Sequence, residues 1–220
     1  MMITFEEVKN SPVIKTYIEK ADESLLALGY TEHSYPHVTK VALTAGHLLT
    51  TMGYSQREAE LAQIAGFLHD IGNVINRIDH AQSGAVMAFR LLDNMAASPE
   101  DTATIITAIG NHDEGTAFPV NPVAAALILA DKSDVRRSRV RNPDIATFDI
   151  HDRVNFSAVR SDLKIKDERT VVELNLEIDT NVCSVVDYFE IFLNRMILCR
   201  KAAERINLTF RLIINDQKLL

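Results

Sequence analysis

The sequence predicts a mainly α protein: a helical body of about 150 residues followed by a small strand–strand–helix–strand appendage. Three observations lead there. Up to residue 131, apolar residues recur at i, i+3 and i+4, in segments mostly opened by helix-start signals. From Val154 the apolar pattern switches towards period two, which marks strands. The chain of 220 residues, 47% hydrophobic and 24% charged, suits a domain of ordinary size with its own core.

Residues 4–28 read as helical with a break at Ser11-Pro12, where proline fits a first helical position. Val13, Ile14, Tyr17, Ile18, Ala21, Leu25 and Leu28 form the apolar face, and Gly29 ends the segment. A second helix starts at Ser34-Tyr35-Pro36 and carries His37, Val41, His47 and Leu48 towards Met52-Gly53. Ser55 caps a third, with Glu58 completing a capping box, and its apolar residues lead directly to His69-Asp70 and then Gly72. The fourth helix is predicted over 81–96. The fifth starts at Ser98-Pro99-Glu100-Asp101, where acidic side chains suit the helix dipole, and runs to Asn111-His112. The sixth starts at Asn121-Pro122 and reaches Asp131. Residues 135–153 form a basic linker. Two strands follow, 153–165 and 170–178, joined by the polar turn Lys166-Asp167-Glu168-Arg169. A long amphipathic helix over 181–206 and a last strand over 208–214 complete the chain. The domain division this implies is 1–150 and 151–220. The aromatic face of the long helix reads as core between hairpin and body, or as a contact in a homodimer.

The net charge of −7 disfavours a nucleic acid duplex or RNA as partner, because most of the surface repels phosphate. It leaves room for a small phosphorylated substrate, since a metal or a local arginine cluster reverses the field inside one pocket. Cys183 and Cys199 both fall in the predicted long helix, about 24 Å apart along its axis, beyond the reach of a disulfide. No signal peptide and no span of membrane length is read, so the expectation is a cytoplasmic protein without a membrane partner.

The chemistry concentrates at helix ends. His37 lies in the first turn of the second helix, His69-Asp70 end the third, His80 precedes the fourth, His112 ends the fifth and Asp131 the sixth. Imidazoles and carboxylates without thiolates favour Fe, Mn, Co, Ni, Zn or Mg over a structural zinc site. Of the remaining histidines, His47 reads as packed on a helix face, His33 as lying outside its helix, and His151 as a linker residue. Lys132, Arg136 and Arg137 read either as a solvated basic stretch or as a phosphate site. Asp113 and Glu114 read as a polar cap, as a general acid, or as partners orienting a ligand histidine.

His37 in PHVTKVALTAGHLL, His69-Asp70 in AGFLHDIGN and Asp131 in LADKSD resemble the pattern of the HD superfamily of metal-dependent phosphohydrolases. His80 in HAQSGA and His112 in AIGNHDEG resemble its six-ligand, two-metal subgroup, which includes bacterial symmetrical diadenosine tetraphosphate hydrolases. The likeness covers roughly residues 30–140. It implies an HD-type helical bundle with two divalent ions, Fe, Mn, another transition metal or Mg, held by His37, His69, Asp70, His80, His112 and Asp131. Asp70 would bridge them, a metal-bridging hydroxide would attack phosphorus, and His69, Asp70 and Lys132 would carry the catalytic roles. Arg136 and Arg137 would bind the remaining phosphate charge. Many relatives have lysine where this chain has Asn73, and Arg77 is the candidate replacement. The Gly-Tyr-Pro signature of the cyclic-dinucleotide enzymes is absent after His112, and SDVRRSRVR departs from the tetraphosphate hydrolases.

The function expected from this resemblance is hydrolysis of a phosphoester or phosphoanhydride in a nucleotide or related small metabolite. A di-iron HD-type oxygenase and a non-catalytic nucleotide-binding module are the alternatives.

Overall fold

The computed structural model describes residues 2–220. Nine α-helices and a four-stranded sheet are found among them: α1 Phe5–Asn10, α2 Pro12–Ala27, α3 Tyr35–Thr51, α4 Gln56–Leu68, α5 His80–Asn94, α6 Pro99–Gly110, α7 Pro122–Lys132, α8 Ile150–Ser157 and α9 Val185–Arg205, with β1 Ala158–Lys166, β2 Val171–Ile178, β3 Thr209–Ile214 and β4 Gln217–Lys218. This is the mainly α architecture with a small α+β appendage that the sequence predicts.

The helix starts form as the local chemistry dictates. Ser55 accepts from the Glu58 amide while the Glu58 side chain returns to the Ser55 amide, and Pro12, Pro36, Pro99 and Pro122 occupy first-turn positions that need no amide donor. The centre of the molecule is α7. Its residues Val123 to Ala130 are all buried, and α3, α4, α6 and α9 pack around it. A helix hydrophobic on every side must lie inside. Its C-terminal end therefore delivers Asp131 to the interior.

In the appendage, β1 and β2 pair antiparallel from Ala158↔Ile178 to Lys166↔Val171, and β2 and β3 pair parallel from Val171↔Thr209 to Leu176↔Ile214. A parallel neighbour requires a crossover, and α9 supplies it, packing on β3 and on α7. The hydrophobic core is continuous from Ile3 through α7 and α9 to Ile214. The expected division at residue 150 falls at the first residue of α8, and the core runs across it.

Three expectations need correction. Residues 153–157 belong to α8 instead of the first strand. The alternation Val154, Phe156, Ala158 resembles a strand, but the Asp149 side chain accepts from the Asp152 amide and caps a helix there. The long helix starts at Val185, not Asn181, because Ser184 caps it in a capping box with Asp187, so Cys183 lies before it. Both cysteines are free and buried. A short fourth strand was not predicted. Asn215 and Asp216, with φ of 48° and 63°, turn the chain back so that Ile213 and Ile214 pair with Lys218 and Gln217. No helix among the described residues is long and apolar enough to cross a membrane.

Candidate metal centre

His69 is the C-cap of α4, and Asp70 opens the short 3-10 turn Ile71–Val74. His37 stands in the first turn of α3, His80 is the first residue of α5, His112 follows the C-cap Asn111 of α6, and Asp131 precedes the last residue of α7. Two glycines let these elements meet. A Cβ on Gly66 would stand 2.8 Å from the Cα of Ala42, so α3 and α4 cross at backbone contact. A Cβ on Gly72 would stand 2.1 Å from the carbonyl oxygen of His80, so the turn after Asp70 touches the start of α5. The Asp-x-Gly spacing thus brings His80 beside Asp70.

All six side chains converge. His37 Nε2 lies 3.3 Å from His69 Nε2, 3.6 Å from Asp70 Oδ2 and 3.4 Å from Asp131 Oδ1; His69 Nε2 lies 3.2 Å from Asp70 Oδ2 and 3.7 Å from Asp131 Oδ1. On the other side of the same carboxylate, Asp70 Oδ1 lies 3.5 Å from His80 Nε2, which is 3.2 Å from His112 Nε2. Asp70 therefore presents one oxygen to each group. Three overlapping sets, His37–His69–Asp70, His69–His112–Asp131 and Asp70–His80–His112, bring their donor atoms within 4.8 Å of one another.

The hydrogen bonds fix which nitrogen points inward. Carbonyl oxygens accept from the Nδ1 of three histidines: Gly66 from His69 at 2.8 Å, Arg77 from His80 at 3.0 Å and Ile109 from His112 at 2.6 Å. A carbonyl only accepts, so each Nδ1 carries the proton and each Nε2 offers its lone pair to the centre. His37 does the same with Asp134 Oδ2 at 2.8 Å. That buried carboxylate is held in turn by Lys40 at 2.8 Å and Arg136 at 3.0 Å, and its pKa is lowered by His37 and the surrounding cations against the effect of burial.

These residues fit a divalent metal. Nε2 lone pairs as close as 3.2 Å and two carboxylates repel one another unless positive charge lies between them. Four tetrahedral donors about 2.1 Å from a common centre are separated by about 3.4 Å, which matches the spacings around His37 and His69. The field also favours cations. Burial opposes charge on His69, yet Asp70 and Asp131 outweigh it and raise its pKa to about 10. Burial pushes the Asp70 and Asp131 carboxyls the other way, but neighbouring cations hold both well below the usual carboxylate range.

The centre forms part of the wall of a cavity of about 370 Å³, whose lining includes Asp70, His80, His112 and Asp131 together with Arg77, Lys132, Arg139 and Arg195. Lys132 Nζ contacts Asp131 at 2.7 Å, and Arg77 Nη1 lies 3.8 Å from Asp70 Oδ1. Asn73 donates to Asp70 Oδ1 at 3.0 Å, which assigns it to holding the shared carboxylate.

Arg136 and Arg137 do not line this cavity. Arg136 pairs with Asp134 and Glu32, and Arg137 donates to the Phe156 carbonyl and lies over its ring at 4.4 Å. The 3-10 turn Arg137–Arg139 sends the third arginine inward instead, where Arg139 is buried and donates to the Glu32 and Asp134 carbonyls. His33, read from sequence as lying outside its helix, lines the cavity with Nε2 4.0 Å from Asp70 Oδ2, and His151 lines it as well. Asp134, Arg139 and Arg195 were not singled out from sequence as site residues. The run Asp-x-x-Asp after residue 130 is the signal that points to Asp134.

Comparison with known proteins finds likenesses over the part of the chain that holds these residues. Residues 35–141 match the HD domain. The matched segment ends before α8, so the appendage lies outside it. The chain is 25% identical over 193 residues to an uncharacterized protein of Methanocaldococcus jannaschii, covering 77% of this chain and 74% of that one. It is 27% identical to ribonuclease Y of Bacillus subtilis and 30% identical to ribonuclease Y of Aliarcobacter butzleri over 54% of its own length, spanning 21% of each. The similarity to both ribonucleases thus covers about a fifth of their length. No solved structure matches the chain.

Proposed function

We propose that this protein is a metal-dependent phosphohydrolase that cleaves a phosphoester or phosphoanhydride bond in a nucleotide or related small phosphorylated metabolite. One observation carries the reading: Asp70 joins two imidazole-and-carboxylate donor sets in the wall of a cavity that also holds Arg77, Lys132, Arg139 and Arg195. Divalent ions held there supply Lewis acidity and bring the pKa of water towards neutrality. His37, His69, Asp70 and Asp131 hold one position, and Asp70, His80 and His112 the other.

The chain's own side chains do the rest. The carbonyls of Gly66, Arg77 and Ile109 and the carboxylate of Asp134 keep four imidazoles in the tautomer that presents Nε2. Lys132 and the arginines offset the charge of a phosphoryl group and of its leaving oxygen. A cavity of about 370 Å³ is sized for a small ligand. The name of the ribonuclease Y relatives adds support for chemistry at a phosphoester, while the net charge of −7 favours a small substrate over a duplex.

Protein loaded with Mn or Fe, offered a nucleotide panel, is expected to release phosphate or a mononucleotide, and His69→Ala and Asp70→Ala to lose that activity. Full activity in either variant, or turnover that requires dioxygen, overturns the reading.

A further inference from the structure

The cavity is not built by the HD domain alone. Phe192 and Arg195, from α9 of the appendage, line it as well. Arg195 is a long side chain held in place. Its guanidinium carbon sits 4.3 Å from the centroid of the Phe192 ring, and its Nε contacts Glu114 Oε1 at 2.5 Å. Glu114 Oε1 also lies 3.4 Å from Lys132 Nζ. Two cations therefore share one carboxylate oxygen, and the other oxygen-bearing partner of Lys132, Asp131, belongs to the metal centre.

The cations of this cavity differ in how far their donors are committed. Arg139 spends Nε and Nη1 on the backbone carbonyls of Glu32 and Asp134. Arg77 is drawn through Nη1 alone to the metal centre itself, towards Asn73, His80 and Asp70. Among the described residues, the terminal nitrogens of Arg195 have no hydrogen-bond or ion-pair partner, although its side chain is only 28% exposed. A guanidinium fixed by stacking and by one carboxylate, with its planar fork unengaged, has the form of an oxyanion receptor. Through Glu114 and Lys132 it stands a short chain of contacts from Asp131.

We propose that Arg195, with Lys132, binds a second anionic group of the substrate beside the phosphoryl group at the histidine–aspartate centre, so that the site selects compounds bearing two neighbouring phosphates. This rests on the phosphohydrolase reading and narrows it to diphosphates and closely spaced bisphosphates. Arg195 is then a specificity residue supplied from outside the HD domain.

Calorimetric titration of the whole 220-residue chain, Mn-loaded, with methylenediphosphonate and with methylphosphonate, each blanked against Mn-containing buffer, tests this without turnover. Wild type is expected to bind the diphosphonate more tightly. Arg195→Gln is expected to weaken diphosphonate binding roughly 10- to 100-fold while changing methylphosphonate about twofold or less. Arg195→Lys is expected to recover part of the loss, since it keeps the charge but not the fork. Equal losses for both ligands mark a structural role and overturn the proposal, as does no loss at all or the absence of binding in wild type. Hydrolysis of nucleotides, measured on the same preparations, separates the two readings. Turnover without Arg195-dependent discrimination sinks only this inference, and discrimination without turnover sinks only the phosphohydrolase reading.

Discussion

Replacing Gly72 by alanine tests how the centre is assembled. The added methyl would stand 2.1 Å from the His80 carbonyl oxygen, 2.5 Å from the Gly84 amide nitrogen and 2.7 Å from Ser83 Oγ. The first two are backbone atoms at the start of α5, so the methyl cannot be accommodated by a rotamer change. The turn and the helix must part by about 1 Å or more to restore ordinary contact, and overpacking of this kind costs about 1–3 kcal/mol. In a chain of this size that lowers Tm by roughly 2–12 °C. The displacement acts on His80, whose Nε2 is 3.5 Å from Asp70 Oδ1. A misplacement of about 1 Å costs on the order of 100-fold in rate. The expected variant is folded by circular dichroism, melts lower, keeps the metal bound through His37, His69 and Asp131, and binds the second weakly. Thermal melts, metal analysis and nucleotide turnover read all three. Wild-type Tm together with two tightly held metals would refute the idea that this backbone contact sets the geometry.

The remaining predictions concern the metals and Glu114. His80→Ala and His112→Ala are each expected to halve the metal content, from two ions per chain to one, by elemental analysis of dialysed protein. Chelation is expected to lower stability by about 2.7 kcal/mol relative to protein in metal at a hundred times its Kd, seen as a fall in Tm of roughly 5–11 °C. Burial raises the Glu114 pKa, but Lys132 and Arg195 dominate and bring it from 4.5 to about 2. A depressed folded value stabilises above the unfolded value, so the stability difference between wild type and Glu114→Gln should be level above about pH 5 and shrink as pH falls from 4.5 towards 2. Denaturant melts across that range measure it, and a difference that grows on acidification contradicts the assigned contacts.

The parts of the centre that were legible in sequence lie at helix ends, and helix ends are written locally. Ser55 with Glu58, Ser98-Pro99 and Asn121-Pro122 set where α4, α6 and α7 begin, and the apolar runs carry them to His69, His112 and Asp131. What could not be read depends on packing between distant segments. The periodicity of α9 shows that one face is buried, but not that α7 and the segment around Glu114 cover the part of it that bears Arg195. Among four closely spaced arginines, only the 3-10 turn decides that Arg139 turns inward while Arg136 and Arg137 pair elsewhere. The misplaced first strand has a simpler cause, since one capping aspartate outweighs a short alternating pattern.

The position of α9 in the chain has a consequence for synthesis on the ribosome. The six candidate ligands all lie at or before residue 131, whereas Phe192 and Arg195 follow about 60 residues later, on the helix that connects β2 to its parallel neighbour β3. On the phosphohydrolase reading, a polypeptide grown as far as residue 131 would already carry every proposed metal ligand before Phe192 and Arg195, which complete the lining of the cavity, have been made.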